Sequence, residues 1–189
     1  MKYVISILSI LTLAACSPEI RVYSDQDPDY QVRNFSTFDW GQKAAIEGNR
    51  NPLHYNELND KRIKSAILKE LSSRGYSRTE ADPDLVIHYH IIIDDQSVVT
   101  TEPFGYFYGP YWMRMRTHVY SYREGTLIID LMDPKTNNLV WRGWATAAID
   151  MITQEQTEEI INRAIEKIFR RFPASIKGQE PAASIDKRF

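Results

Sequence analysis

His88 and His90 stand two residues apart in Asp84–Ile93, where Leu85, Ile87, Tyr89, Ile91 and Ile93 alternate with Val86, His88, His90 and Ile92. On a strand, that spacing sends both imidazoles to one face. If a following strand at Thr117–Tyr122 pairs alongside, His118 joins that face, with Asp130 one strand further. Three imidazoles and a carboxylate suit Zn²⁺ or Cu²⁺. His-x-His is equally the pattern of a half-exposed amphipathic face. The expectation is therefore no metal and no cofactor, with His88, His90 and His118 the candidates should a metal bind. The acid pairs Asp94-Asp95 and Asp82/Asp84 lie near strand ends, where acids serve as solvated turn residues. Catalytic carboxylates must instead converge in a cleft. Gly-x-Ser-x-Gly, His-Glu-x-x-His and a phosphate-binding glycine loop are all missing from the sequence. No catalytic residue and no enzymatic activity are expected.

Cys16 is the chain's only cysteine. It follows Lys2, an apolar run from Tyr3 to Leu13, and Leu13-Ala14-Ala15. A positive residue, an apolar stretch too short to span a bilayer comfortably and a small-residue site make a secretory signal. Leu-Ala-Ala-Cys resembles the bacterial lipobox, which implies cleavage before Cys16 and lipid on its thiol and new amino group. Two or more acyl chains anchor stably where one is marginal. Ser17, in place of Asp, points by the same resemblance to the outer membrane, with the domain facing the periplasm. With its one thiol committed to lipid, the domain has no internal disulfide and relies on packing. The 23 basic and 25 acidic residues give a formal net charge of −2, which argues against a nucleic-acid binder driven by phosphate contacts.

The third feature is Phe104-Gly-Tyr-Phe-Tyr-Gly-Pro-Tyr-Trp112, six aromatics with two glycines and a proline. Gly and Pro exclude a regular helix or central strand here. Three readings stand. The segment could fold as a flap onto the outer sheet face against Tyr120, Tyr122 and Trp144. It could dip into lipid headgroups, where Trp and Tyr are favoured. Or it could bind a partner through Phe104, Tyr106, Phe107, Tyr108, Tyr111 and Trp112, with Arg114 and Arg116 to pair with anions or stack on rings.

The elements that must position these residues follow from periodicity. Ile20–Tyr23 and Phe35–Trp40 are β-prone, and residues 41–54 read as loop. Ile63, Ala66, Ile67 and Leu71 mark one helical stripe, from Asn56 to Arg74 with Gly75 as its C-terminal stop. Strands follow at Asp84–Ile93, Thr117–Tyr122, Thr126–Asp133 and Leu139–Ile149, with a tight turn at Glu124-Gly125 and a hairpin turn over Asp133–Asn138. Thr153 and Gln156 have capping-box spacing ahead of Ile161, Ala164, Ile165, Ile168, Phe169 and Phe172, and Pro173 stops that helix. The order β-β-α-β-β-β-β-α predicts an α+β fold, a mostly antiparallel sheet of five to six strands with both helices on one face. The expected organisation is a signal peptide over 1–15, a lipidated tether over 16–19, one domain over 20–173 and a disordered tail over 174–189.

Val22-Tyr-Ser-Asp-Gln-Asp27, Phe35-Ser-Thr-Phe-Asp-Trp40, Ile63 to Gly75-Tyr76, Ala81-Asp-Pro-Asp-Leu-Val86, Leu131-Met-Asp133 through Leu139-Val-Trp-Arg-Gly143, and Phe172-Pro173 occur in that order after the lipobox. This ordered set resembles the bacterial lipoprotein family known as domain of unknown function 4136. The resemblance implies the fold and the anchoring and brings no catalytic residues. The expected role is a non-enzymatic binding or accessory module of the cell envelope, its partner another envelope protein. The alternative is a small-ligand or metal-binding lipoprotein using the histidine and aromatic sheet face.

Overall fold

Ile63, Ala66, Ile67 and Leu71 are the buried stripe of helix α1, Glu57–Ser73, as their 3.6-residue period requires. The Asn56 side chain caps its start, accepting from the Asn59 amide at 2.9 Å. Gly75, at φ 83°, ends it in the left-handed conformation that a side chain would disfavour. The structure is a computed structural model describing residues 18–41, 56–104, 114–150 and 152–176, with backbone alone for 102–104 and 114–116. The loop expected over 41–54 lies outside the described residues from 42 onward.

Helix α2, Thr157–Phe169, buries Ala164, Ile165, Ile168 and Phe169. Ahead of it the capping-box pair is formed: the Thr153 amide donates to Gln156 Oε1 at 3.1 Å and the Gln156 amide to Thr153 Oγ1 at 3.4 Å. Both helices pack on one face of a six-stranded sheet ordered β1-β6-β5-β4-β2-β3. The strands are β1 Arg21–Gln26, β2 Thr37–Trp40, β3 Ser77–Arg78, β4 Leu85–Phe104, β5 Arg114–Asp133 and β6 Asn138–Ala148. β1, β6, β5 and β4 pair antiparallel; β2 joins β4, and β3 joins β2, in parallel. The fold is thus α+β in the expected element order, with a mostly antiparallel sheet. Its core joins Leu85, Ile87, Ile129, Leu131 and Trp141 of the sheet to both helix stripes. Trp141 stands 5.9 Å from Phe169 and 5.0 Å from Phe172, ring to ring.

The same order is built from different pieces in one region. The two strands expected at Thr117–Tyr122 and Thr126–Asp133 are one strand, β5, and the two-residue β3 supplies the remaining member. There is no turn at Glu124-Gly125: Gly125 pairs with Ile93 on one side and Ala147 on the other. A Cβ on Gly125 would lie 2.9 Å from Ile149 Cγ2, so this glycine makes room for the chain leaving β6 to cross the sheet. β4 likewise runs past Ile93, where the expected strand ends, to Phe104.

The domain also extends past its expected end at Pro173. Ser175 is fully buried, with its hydroxyl donating to the Phe35 carbonyl at 2.6 Å and its amide to the Arg74 carbonyl at 2.9 Å. Beside it, burial pushes the Tyr76 phenol up to about 12, and its hydroxyl donates to the Val32 carbonyl at 3.1 Å. Residues 177–189 lie outside the described residues.

Candidate functional site

β4 and β5 form one hairpin paired continuously from Val86↔Met132 to Phe104↔Arg114. Among the described residues its neighbours cover only one end. β2 reaches β4 at Leu85–Ile87, and β6 leaves β5 after the Glu124↔Ala148 pair. Beyond Asp95↔Arg123 the hairpin is a two-stranded ribbon, about nine further pairs or roughly 30 Å at 3.4 Å per residue. The boundary is held by ion pairing. Arg123 Nε donates to Asp150 Oδ1 at 2.9 Å, and the Ile149 amide bonds the Arg123 carbonyl at 2.9 Å, as the chain turns away from the sheet. The Arg123 side-chain and amide hydrogen bonds hold the Asp150 carboxyl below its usual range.

Within the ribbon the faces follow from register. Val98 pairs with Tyr120 and Thr100 with His118 on one face; Val99 pairs with Val119 and Thr101 with Thr117 on the other. Both faces carry exposed apolar side chains: Val98 is 44% exposed, Tyr120 57%, Val99 62% and Val119 64%. Among the described residues no further element packs on either side of this strand pair.

The histidine candidates separate. His88 lies opposite Asp130 and His90 opposite Ile128, but His118 lies opposite Thr100, ten residues along β4 from His90 and roughly 33 Å away along the strand. His118 is on the expected face and stacks on Tyr120 at 6.0 Å; strand continuity carries it far from the other two. The Asp130 carboxylate is buried and taken by Arg142, whose Nε and Nη2 donate at 2.6 and 2.7 Å; these bonds raise the guanidinium's pKa further. His90 Nε2 stands 3.9 Å from that carboxylate. The His88 ring lies where a side chain on residue 41 would have to go, over Gly41. Among the described residues no three His, Cys, Asp or Glu side chains are grouped as a metal site. Tyr23 and Trp144 stack at 5.5 Å in the row that includes His90.

Asp84, one of the acids weighed for catalysis, is a structural group. It accepts from the amides of Ser36 at 2.8 Å and Thr37 at 3.0 Å, while its own amide donates to Thr37 Oγ1 at 2.9 Å. Burial works to raise its pKa, and these hydrogen bonds outweigh it, leaving the carboxyl below its usual range. A cavity of about 160 Å³ lies between the sheet and the start of α2, walled by Ile20, Ile63, Ile91, Leu127, Ile152 and Ile161. Ligand sites span about 300–1,000 Å³, so this is a packing space rather than a pocket for a drug-sized molecule.

Of the residues singled out for partner binding, Phe104 ends β4, and Arg114 and Arg116 begin β5. Tyr106, Phe107, Tyr108, Tyr111 and Trp112 lie outside the described residues, as does Cys16. The strand ends that bracket the aromatic segment stand fourteen residues along β5 from Ile128, the partner of Trp144. No helix among the described residues is long and apolar enough to cross a membrane.

A mixed, mostly antiparallel sheet with both helices on one face and a long hairpin defines an α+β domain. The family model of a domain of unknown function, DUF4136, matches residues 22–174. The chain belongs to this family. No curated protein matches it significantly. It is similar to the crystal structure of a PDZ domain protein from Parabacteroides distasonis, at 16% identity and a TM-score of 0.52, covering 91% of this chain and 40% of that one. The chain thus spans less than half of that protein, and the likeness is one of fold. Two PelC dodecamer structures from Paraburkholderia phytofirmans are more distant, with TM-scores of 0.44 and 0.41 at 12% identity, covering 79% of this chain and 95% and 94% of theirs.

Proposed function

We propose that this chain is an envelope lipoprotein, anchored by lipid on Cys16, whose domain is a non-enzymatic recognition module. The observation that carries the reading is the hairpin: one pair of strands is rooted in the core and continues beyond it as a ribbon ending at the aromatic segment. A sheet-rooted arm presents side chains at a fixed orientation while the body stays close to its anchor. The lipid confines the domain to the membrane surface and raises its effective concentration toward other envelope proteins. Tyr and Trp at the hairpin end supply contact area at low conformational cost. Anchoring at the outer membrane, with the domain in the periplasm, follows from Leu13-Ala-Ala-Cys16-Ser17.

Photo-crosslinkers placed at Tyr108 and at Trp112 in living cells test it, with exposed Glu166 on α2 as the control position. A shared heteromeric adduct from both aromatic positions, absent at Glu166, is the expected result and identifies the partner. The absence of any heteromeric adduct from Tyr108 and Trp112 removes the recognition role. Anchoring is tested separately by the mass of the N-terminal peptide: it should begin at Cys16 with added acyl groups, and an unmodified Cys16 refutes it.

A further inference from the structure

The start of β1 and the ribbon lie at the same end of the body. Arg21 pairs with Thr146, Thr146 with Thr126 and Thr126 with Ile92, so these four form one row across the sheet. The ribbon begins a few residues further along β4, beyond the Asp95↔Arg123 pair. β1 runs the other way, and its last residue, Gln26, shares a row with Trp141, Leu131 and Ile87. The chain just before β1 is fixed to the body: Ile20 is buried, and its carbonyl accepts from Lys167 Nζ at 3.5 Å. Between Gln96 and Thr101, and between Thr117 and Tyr122, the ribbon carries no Asp, Glu, Lys or Arg. Val99 and Val119 are directly opposed there, and they are 62% and 64% exposed.

We propose that the ribbon lies along the bilayer surface, its Val99/Val119 face against the lipid, held there by the shortness of the tether. The inference rests on the lipid anchor at Cys16 proposed above. From Cys16 to Arg21 the chain spans at most about 18 Å, which limits how far the row of Arg21 and Ile92 stands from the membrane. With the ribbon pointing straight away from the bilayer, the Asp133–Asn138 turn would stand between that row and the lipid. Asp133 is about 24 Å along β5 from Thr126, more than the tether reaches. With the ribbon pointing straight in, its last pair, Phe104↔Arg114, would lie about 40 Å beyond Ile92 and so roughly 20 Å deep. The charged positions Glu102, Arg114 and Arg116 would then fall inside a hydrocarbon layer about 30 Å thick, where ionised side chains are costly. A ribbon running along the surface meets both limits and lays its uncharged band on the headgroup layer. Of its two faces, that of Val99 and Val119 exposes the more apolar surface. Its neighbouring pairs, Ser97↔Ser121 and Thr101↔Thr117, bear no titratable group, whereas the other face carries His118. A protein recognised by this module is then one met at the membrane surface.

Cys16 is the only cysteine, so once it is acylated a single introduced cysteine takes a fluorescent label uniquely. The acylated chain carrying Val99→Cys or Val119→Cys, or Lys135→Cys in the exposed far turn as control, is labelled and reconstituted into vesicles of phosphatidylethanolamine and phosphatidylglycerol. Nitroxides carried just below the lipid headgroups should quench the labels at 99 and 119 at least about twofold more than the label at 135. An insertion of about twelve Gly/Ser residues after Ser17 adds roughly 20 Å of reach and should at least halve that quenching, because the longer tether frees the ribbon. Labels at 99 and 119 quenched no more than the label at 135 overturn the proposal. So do labels shielded from aqueous iodide but not reached by the lipid nitroxides, which would place a second copy on the ribbon, and so does quenching that the insertion leaves unchanged. The mass of the N-terminal peptide from the same samples separates the two readings. An acylated Cys16 with both labels in water refutes the ribbon's contact alone; an unmodified Cys16 refutes the anchor and the contact together.

Discussion

Between Leu85 and Ile93, β4 alternates: Leu85 and Ile87 are buried under the helices while His88 and His90 stand on the other face. Between Asp94 and Thr101 the same strand reads Asp-Asp-Gln-Ser-Val-Val-Thr-Thr. Successive strand residues point to opposite faces, so a doublet puts the same residue type on both. The inner half separates a dry face from a wet one. The outer half makes its two faces alike, and among the described residues neither has a layer on it. One hairpin therefore contains both a core strand pair and an arm, and the change of pattern at Ile93/Asp94 marks the boundary between them.

This contrast is broken most directly by core truncation. Phe169 is fully buried against Trp141 and Phe172. Phe169→Ala should cost about 3–5 kcal/mol, read from urea unfolding. Thr101→Ala, exposed on the ribbon, should stay within about 0.5 kcal/mol. Equal effects at the two sites would mean that the arm folds as part of the core.

The boundary itself is the next place to press. A Cβ on Gly125 meets Ile149 at 2.9 Å, so Gly125→Ala should destabilise by about 1–3 kcal/mol, through overpacking where the chain crosses the root of the arm. Unchanged stability would show that Ile149 yields easily. Smaller in free energy, and spatially resolved, is hydrogen exchange along β4. Amides of Ser97–Thr101 should exchange at least about tenfold faster than those of Ile87–Tyr89, which have neighbours on both sides or lie under the helices. Uniform protection along β4 would erase the distinction between body and arm.

Most of the body was legible in the sequence because its elements obey a single period. The α1 stripe, the Thr153/Gln156 pair and the Asp133–Asn138 turn each carry a local signal that the structure realises. The arm lacked that signal. Strand reading depends on alternation, and Asp94–Thr101 has none; only its β-branched doublets, Val98-Val99 and Thr100-Thr101, hinted at extended structure. Gly125 misled for a related reason. Glycine most often signals a turn, and its second use, room for a crossing chain, depends on Ile149, twenty-four residues away. The histidine group failed on distance alone: the side-chain period gave the correct face for His118, and strand continuity placed it at the far end of the ribbon.

The smallest effect concerns the opposite end of β4, where Asp84 fastens the strand to β2. Its carboxylate accepts the Ser36 and Thr37 amides, bonds that exist in full only while it is ionised. The folded pKa is lowered, against about 3.9 unfolded. Its contribution is therefore fully present above about pH 4 and is lost as pH falls through the folded value. Asp84→Asn keeps one acceptor oxygen but not the charge, so near neutrality it should cost about 1 kcal/mol. The gap between wild type and variant should then close as the pH drops below about 4, in urea titrations run at stepped pH. If the Asp84→Asn gap persists at low pH, the carboxylate's charge is not what fastens β2 to β4, and the strand ladder with the neutral hydrogen bonds at Thr37 holds that junction.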